Sequence, residues 1–241
     1  MSDWKTWHWD GLGWAMFGPL GNIITRAMNP DAELDEEELD EESFYPRTRA
    51  GDFGLSLMVL LPAVMKADLE VTEPELDFVN YFFVTAFGGE EAQDLMILLS
   101  KILELDYFLE AVCHQISILM DYPSRLELIY LLFGLAKADA HIDPEEIQVI
   151  KEISHMIGVS PQDSASIEAM FVPGPDAPYQ VLQVGRKTGR QGMESAYHEM
   201  VDKHHPDQVG HLGEEFQKLA GEKLRAVEKA YQQIRQERGW D

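Results

Sequence analysis

Apolar residues recur at steps of three and four positions along the stretch from Gly51 to Phe171. Two of these runs are Phe53, Leu57, Leu60, Leu61, Val64 and Leu95, Leu98, Leu99, Ile102, Leu103. Such spacing places the apolar side chains on one face of an α-helix, and the alternation typical of strands is missing from the sequence. The pattern therefore predicts an all-α fold, with a bundle of about six or seven helices in this stretch.

One segment of the predicted bundle occurs twice, 71 residues apart: residues 64–76 read VMKADLEVTEPEL and residues 135–147 read LAKADAHIDPEEI. Each copy predicts a helix that ends at the Ala-Asp pair, a short turn, and a second helix with Thr72 or Asp143 as its N-cap. The glutamate three residues after each cap is positioned to complete a capping box. We therefore expect two similar helix-turn-helix corners.

The same corners carry four carboxylates that offer an alternative to simple capping: Asp68, Glu75, Asp139 and Glu146. A divalent cation needs several oxygen ligands to converge on one point. The sequence does not fix whether the two corners meet, so capping is the simpler expectation and no metal or other cofactor is assigned. A metal site, and a metal-dependent hydrolase built on it, stay open as alternatives.

The chain of 241 residues has 19 Lys and Arg against 43 Asp and Glu, a formal net charge of -24. A surface of that sign repels phosphate backbones and anionic lipids, so no nucleic-acid partner is expected. The single cysteine, Cys113, has no second cysteine for an internal disulfide. Its isolation favours a reducing, cytoplasmic location.

The negative charge is not spread evenly along the chain. Residues 178–241 hold ten Lys or Arg and ten Asp or Glu, so residues 1–177 carry the whole net charge. The change falls at the segment VPGPDAP, residues 172–178, whose prolines oppose a continuous helix. We predict a helical domain over residues 51–172, a linker over residues 173–177, and a second domain from there to the C-terminus.

Residues 1–50 do not form an obvious domain. Tryptophans stand at positions 4, 7, 9 and 14, and the apolar stretch over residues 11–28 is interrupted by Pro19 and Arg26. This stretch is shorter than the roughly 20 apolar residues of a spanning helix. Docking onto the following domain is the favoured interpretation, with weak membrane association through residues 1–28, peripheral at the inner membrane, and partner binding as alternatives. Residues 31–43 hold nine acids in thirteen positions and predict a solvated spacer.

The C-terminal part predicts a helical hairpin. Helical spacing runs over residues 193–204 and again over residues 216–234, which predicts two amphipathic helices packed antiparallel. Between them stands His-Pro-Asp, residues 205–207. Because the proline lacks an N–H and restricts the residue before it, the first helix must end here and leave an exposed turn. Residues 178–184 predict a short opening helix with proline near its first position.

Two parts of the chain resemble known modules. The paired corners, above all LAKADAHIDPEEIQVIKEI over residues 135–153, resemble the TerB-like domain of tellurite-resistance proteins, over about residues 51–171. The short opening helix, Ala-Tyr at 196–197, the His-Pro-Asp turn and Ala-Tyr at 230–231 together are similar to a J-domain, over about residues 176–239. The combination resembles the DjlA group of DnaJ-type co-chaperones, in which an N-terminal membrane segment precedes both modules.

This resemblance implies that the J-domain docks on a DnaK-type chaperone ATPase and accelerates ATP hydrolysis without covalent chemistry of its own, so no enzyme is expected. Asp207 would accept a charge-assisted hydrogen bond from an arginine of the partner. His205 would supply a polar contact or orient the turn, and Pro206 would fix its shape. Lys203 is a further expected partner contact. Tyr197 is a candidate contact for which core packing is the favoured interpretation.

The helix before the turn departs from the J-domain pattern. In that family it usually presents a basic face that steers it onto an acidic ATPase. Here the predicted solvent positions are Glu194, His198, Glu199, Asp202 and Lys203. Because Lys203 alone matches a basic position, electrostatic steering is expected to be weak.

The function that the sequence predicts is therefore a DnaJ-type co-chaperone of unknown client. Its TerB-like domain would be a regulatory, client-binding or stress-response module. The alternative is a stress-linked adaptor whose acidic TerB-like domain binds a protein partner or a divalent metal, with a vestigial J-like module.

Overall fold

A computed structural model describes residues 14–32, 48–68, 70–138 and 142–240. The α-helices within these residues are α1 (Gly18–Met28), α2 (Ala50–Met65), α3 (Glu73–Phe87), α4 (Gly89–Leu103), α5 (Leu109–Leu119), α6 (Tyr122–Ala136), α7 (Pro144–Met156), α8 (Pro161–Phe171), α9 (Ala177–Val181), α10 (Arg190–Lys203) and α11 (Glu214–Arg238). Two 3-10 segments, Trp14–Met16 and Pro206–Leu212, precede α1 and α11. This part of the chain has no strand, so the all-α prediction is confirmed for it.

Helix α2 is the centre of the bundle formed by α2 to α8. Almost all of its residues are buried, including the polar Asp52 and Ser56. A helix that is apolar on every side must be surrounded by other elements, and α2 packs against α1, α4, α5, α6 and α7. The seven helices of this bundle match the number that the periodicity predicts for the stretch from Gly51 to Phe171.

Helix α3 reaches the centre of the bundle at two glycines. A Cβ atom on Gly54 of α2 would lie 2.7 Å from the ring of Phe87, and one on Gly134 of α6 would lie 2.9 Å from the ring of Phe78. Both distances are too short for ordinary carbon contacts. Glycine at these positions therefore lets two aromatic rings of α3 lie directly against the buried helices.

The two repeated corners adopt the predicted capping. Thr72 is the N-cap of α3 and Asp143 is the N-cap of α7. The N–H of Thr72 donates to Oε2 of Glu75 at 2.7 Å, and the N–H of Asp143 donates to Oε2 of Glu146 at 3.2 Å. Both glutamates are buried, so these hydrogen bonds replace water around their carboxylates.

Helix α1 and the turn before it dock on the bundle. The side chain of Gln115 in α5 accepts a hydrogen bond from the N–H of Leu20 at 2.9 Å and donates one to the carbonyl of Phe17 at 2.8 Å. Asp52 Oδ1 accepts from the N–H of Ala15 at 3.1 Å. From Ala15 onwards this segment therefore docks on the following domain, in agreement with the favoured interpretation of the sequence.

Most of the tryptophan-rich start and of the acidic spacer lies outside the described residues. Among the helices that are described, none is both long and apolar enough to cross a membrane.

Residues 177–240, which we call the C-terminal module, contain α9, α10, the second 3-10 segment and α11. Helices α10 and α11 run antiparallel: Tyr197 stacks on Tyr231 with ring centroids 4.3 Å apart, while the end of α10 lies beside the first half of α11. The module has a core of its own, made of Tyr179, Val181, Leu182, Met193, Met200, Val227, Ala230 and Ile234. Residues 173–176 of the predicted linker lie between α8 and α9, whereas Ala177 is the first residue of α9. The domain boundary itself stays a prediction.

The first half of α11 belongs to the bundle core instead. The spacing over residues 216–234 predicts an amphipathic helix, and near the start of this helix Phe216 packs in the bundle together with Val209 and Leu212. Its ring centroid is 4.8 Å from that of Phe53, in an edge-to-face arrangement. Apolar periodicity predicts the helix but does not reveal which partner each part of its face packs against.

Replacing Phe216 with Ala is expected to lower the free energy of unfolding by about 3–5 kcal/mol, because it removes a buried ring from the bundle core. Tyr81→Ala in α3 is the matched control, since Tyr81 is an exposed aromatic residue whose loss should change stability by about 0.5 kcal/mol or less. Urea unfolding followed by circular dichroism measures both values. A loss for Phe216→Ala as small as that of the control would contradict the shared core.

Candidate functional site

The His-Pro-Asp turn has a defined backbone shape. His205, in an extended conformation, is the N-cap of the 3-10 segment, and its Nδ1 accepts a hydrogen bond from the N–H of Asp207 at 3.2 Å. The carbonyl of His205 accepts from the N–H of Gln208 at 2.9 Å, and the Gln208 side chain donates to the carbonyl of Asp202 at 3.3 Å. These bonds tie the turn to the end of α10.

Both polar side chains of the turn are accessible to a partner. The side chain of His205 is 48% exposed and that of Asp207 is 83% exposed. Because Nδ1 of His205 accepts a hydrogen bond, Nε2 carries the proton of the neutral ring and remains a donor. The turn therefore offers a donor on His205 and a carboxylate on Asp207, as the sequence predicts.

Lys203 lies differently from its predicted position. The sequence places it on the solvent face of α10, but its side chain is only 26% exposed and its Nζ lies 2.8 Å from Oδ1 of Asp163 in α8. The side chain is thus partly buried and paired, which the sequence does not predict. The acceptor comes from a carboxylate 40 residues earlier in the chain, which helical periodicity cannot locate.

Asp163 is the most densely hydrogen-bonded carboxylate of the junction. Oδ1 also accepts from the side chain of Gln183 at 2.7 Å, and Oδ2 accepts from the hydroxyls of Tyr122 at 2.5 Å and Ser160 at 2.9 Å. Burial alone would raise the pKa of Asp163, but the hydrogen bonds from Lys203, Tyr122, Gln183 and Ser160 outweigh it and lower the pKa to about 2. The group is thus ionised at neutral pH.

Gln183 reaches Asp163 from a left-handed backbone conformation. Its φ is 56°, the only positive φ of a non-glycine residue in the described part of the chain. It follows α9 in a Schellman motif, in which its N–H donates to the carbonyl of Gln180 and the N–H of Val184 donates to that of Tyr179. Glycine would be less strained at this φ, but it has no side-chain amide to donate a hydrogen bond to Asp163.

A fully buried ion pair joins α11 to α6. Nζ of Lys223 lies 2.5 Å from Oε1 of Glu127, with exposed fractions of 1% and 2% for the two side chains. Burial raises the pKa of Glu127, and the charge and hydrogen bond of Lys223 oppose that rise. The Lys223 ammonium also lies over the ring of Tyr130, 5.9 Å from its centroid. This pair ties the C-terminal module to the bundle.

His204, between Lys203 and His205, is buried without a hydrogen bond to either ring nitrogen from the described residues. Burial lowers the pKa of His204 to about 2. The positive charges of Lys223 and Lys203 also lower this pKa, whereas the negative charge of Asp163 raises it. The imidazole is therefore neutral in the folded protein at physiological pH.

A third contact joins the 3-10 segment to the start of α6. Nε2 of His211 lies 3.0 Å from Oδ2 of Asp121, and because a carboxylate only accepts, the histidine must donate. Oδ1 of Asp121 meanwhile accepts from the N–H of Ser124 as the N-cap of α6. The junction thus repeatedly sets a basic side chain of the C-terminal module against a carboxylate of the bundle.

Tyr197 and the remaining α10 residues take up two different environments. Tyr197 is partly buried in its stack with Tyr231, which agrees with the core-packing interpretation. His198, Glu199 and Asp202 are exposed as predicted. The accessible face of α10 beside the turn is therefore acidic.

The alternative of a metal site gains no support from the described residues, which contain no group of three or more His, Cys, Asp or Glu side chains able to hold an ion. Glu75 and Glu146 serve as capping-box carboxylates, and Asp68 accepts a hydrogen bond from the N–H of Glu70 at 3.0 Å. Asp139, the fourth candidate ligand, lies outside the described residues.

Sequence reasoning found the turn but missed the junction that holds it. The carboxylates of Asp121, Glu127 and Asp163 stand in the bundle among many other acids, and nothing in their local pattern distinguishes them. The one relevant signal is the charge step between an acidic bundle and a neutral C-terminal module. That step indicates a domain boundary but no particular pair across it.

The comparisons with known proteins cover both parts of the chain. The family model described as Tellurite resistance protein TerB matches residues 54–169, which is most of the bundle. The chain is 26% identical over 232 residues to the co-chaperone protein DjlA of Vibrio cholerae serotype O1, covering 79% of this chain and 80% of that protein. No solved structure matches the chain significantly. The predicted TerB resemblance is confirmed for residues 54–169, and the similarity to the co-chaperone is the longer of the two matches.

Replacing Lys223 with Met is expected to lower the free energy of unfolding by about 3–5 kcal/mol, because it leaves the Glu127 carboxylate buried without its cation. The double variant Lys223→Met, Glu127→Leu should recover most of that loss, since both charges are then gone. Lys229→Met, at an exposed position of the same helix, is the control. Urea unfolding gives each value, and a double variant no more stable than Lys223→Met would contradict the assigned pair.

Replacing His204 with Leu is expected to reduce the loss of stability in acid. The folded chain excludes a proton from His204 down to about pH 2, whereas the unfolded chain takes one up below about pH 6.5. Wild-type stability should therefore fall by about 2 kcal/mol between pH 7 and pH 5 through this residue alone. Denaturant unfolding at both pH values measures the difference. His155→Gln, at an exposed position, should lose as much stability between pH 7 and pH 5 as the wild type. An equal loss in His204→Leu would contradict a buried neutral imidazole.

Proposed function

We propose that this protein is a DnaJ-type co-chaperone whose C-terminal module acts as a J-domain. The module would dock on a DnaK-type chaperone in its ATP state and accelerate ATP hydrolysis. The observation that carries this proposal is the exposed, backbone-fixed turn that presents His205 and Asp207 between two antiparallel helices. The similarity to a protein named as a co-chaperone supports the same function.

The turn supplies two complementary contacts to such a partner. The exposed carboxylate of Asp207 accepts a charge-assisted hydrogen bond from a partner arginine, and Nε2 of His205 donates to a partner acceptor. Pro206 limits the conformations of the turn, so little ordering entropy is lost on binding. Binding that favours the hydrolysis-competent state of the ATPase shifts its population toward that state. The protein is thus a regulator and performs no covalent step itself.

The bundle, matched by the TerB family model, serves in this proposal as the platform that orients the turn and as the regulatory or client-binding part. The identity of the partner implies a cytoplasmic site of action. The absence of a second cysteine for an internal disulfide agrees with that location.

His205→Gln is expected to lower the stimulation of the chaperone ATPase about tenfold or more, because the amide does not reproduce the ring that caps Asp207 and donates from Nε2. Steady-state ATP hydrolysis by a purified DnaK-type chaperone, titrated with the full chain, measures this effect. Circular dichroism and thermal unfolding should stay at wild-type values, since His205 is half exposed.

His155→Gln is the matched control, because it makes the same change at an exposed position of α7 far along the chain from the turn. It should stimulate the ATPase like the wild type. A wild-type chain that gives no stimulation, or a His205→Gln variant as active as the control, would overturn the proposed function.

A further inference from the structure

Lys203 stands two residues before His205, and the sequence predicts it as a further contact to the chaperone. In the structure this lysine is already paired with Asp163 of the bundle, at 2.8 Å. The exposed side chains nearest the turn on α10, Glu199 and Asp202, are acidic. The cation that would best meet an acidic partner surface is therefore engaged within the molecule.

The two lysine pairs of the junction differ in how easily they can open. Lys223 and Glu127 are 1% and 2% exposed, and breaking that pair leaves a charge in the protein interior. Lys203 keeps 26% of its side chain in solvent, so its ammonium can leave Asp163 by rotation of the side chain and be hydrated at once. An exchange of partners is feasible for Lys203 and not for Lys223.

Asp163 also keeps other hydrogen-bond donors when its ion pair with Lys203 opens. When Lys203 turns away, Oδ1 still accepts from Gln183, and Oδ2 still accepts from Tyr122 and Ser160. The carboxylate therefore keeps three neutral donors, which limits the penalty of leaving a buried charge unpaired. The remaining cost is that of one partly exposed ion pair.

We infer that Asp163 competes with the chaperone for Lys203 and thereby lowers the affinity of the His-Pro-Asp face for its partner. This inference rests on the proposed function and concerns the regulation of the same face. In the free chain Lys203 forms an ion pair with Asp163. In the complex it forms an ion pair with an acidic group of the chaperone instead. The bundle thus lowers the affinity of the C-terminal module for the chaperone.

The exchange does not require the C-terminal module to leave the bundle. Val209, Leu212 and Phe216 lie in the bundle core, and the Lys223–Glu127 pair is buried beside them. Separating the two parts would expose all of these groups, whereas moving Lys203 exposes none of them. The regulated step is therefore the reorientation of one side chain at the rim of the junction.

Asp163→Asn tests the competition directly. If the amide oxygen of the asparagine keeps the donors Tyr122 and Ser160, the amide nitrogen faces Lys203 and repels it. Binding of the full chain to an ATP-bound, hydrolysis-deficient DnaK-type chaperone, measured by calorimetry at low salt, should tighten about fivefold. The chain concentration for half-maximal ATPase stimulation should fall by the same factor. In a Lys203→Met background, Asp163→Asn should leave the Kd unchanged.

Gln183→Lys provides a second variant, which leaves the hydrogen bonds of Asp163 with Tyr122 and Ser160 in place. A lysine there would supply Asp163 with a permanent cation and free Lys203, so binding should again tighten. Gln180→Lys adds the same charge at an exposed position three residues away and should leave the Kd near the wild-type value.

The outcomes separate this inference from the proposed function. A wild-type chain that neither binds nor stimulates the chaperone overturns the proposed function. A wild-type chain that stimulates, with folded Asp163→Asn and Gln183→Lys variants of unchanged Kd, overturns the competition alone. Tightening by Asp163→Asn that persists in the Lys203→Met background overturns it as well, because the effect would then be one of net charge.

Discussion

The position of the His-Pro-Asp turn depends on the burial of the first half of α11 in the helical bundle. Phe216 enters an aromatic cluster around α2 and α3, and one helical turn beyond Ala220 the Lys223–Glu127 pair closes the same contact. The aromatic contact supplies apolar burial, and the ion pair fixes the register, because any shift of α11 would leave two charges without partners. Helix α9 and the α10 residues Met193 and Tyr197 then assemble on the second half of α11, while the turn itself lies beside the bundle.

The distribution of charge also follows from this arrangement. By composition the C-terminal part is neutral, with ten basic and ten acidic residues over residues 178–241. Yet Lys203, Lys223 and His211 face the bundle, while Asp202 and Asp207 face solvent. The exposed surface around the turn is therefore more negative than the composition suggests. Basic side chains of the C-terminal module neutralise part of the bundle's negative charge, and these pairs help to hold the two parts together.

Local features of this fold could be predicted from the sequence, and features that join distant segments could not. The helices, the caps at Thr72 and Asp143 and the exposed turn at Pro206 depend on residues within one or two helical turns of each other, and all three are found. The partners of Lys203 and Lys223 lie 40 and 96 residues away in the chain. Their pairing is decided by tertiary packing, so the sequence predicts neither the carboxylate partner of Lys203 nor the packing of Phe216 in the bundle core.

Helix α11 is a single rod of 25 residues shared by two cores, with Phe216 near one end and Ile234 near the other. At 1.5 Å per residue it extends about 37 Å. Its second half is held as well, because α9 packs both on this half and on α8 of the bundle. The bundle core and the hairpin core therefore share one continuous helix that is fixed at two places, so a change in packing around Phe216 would be opposed at the other end by the contacts of α9 with α8.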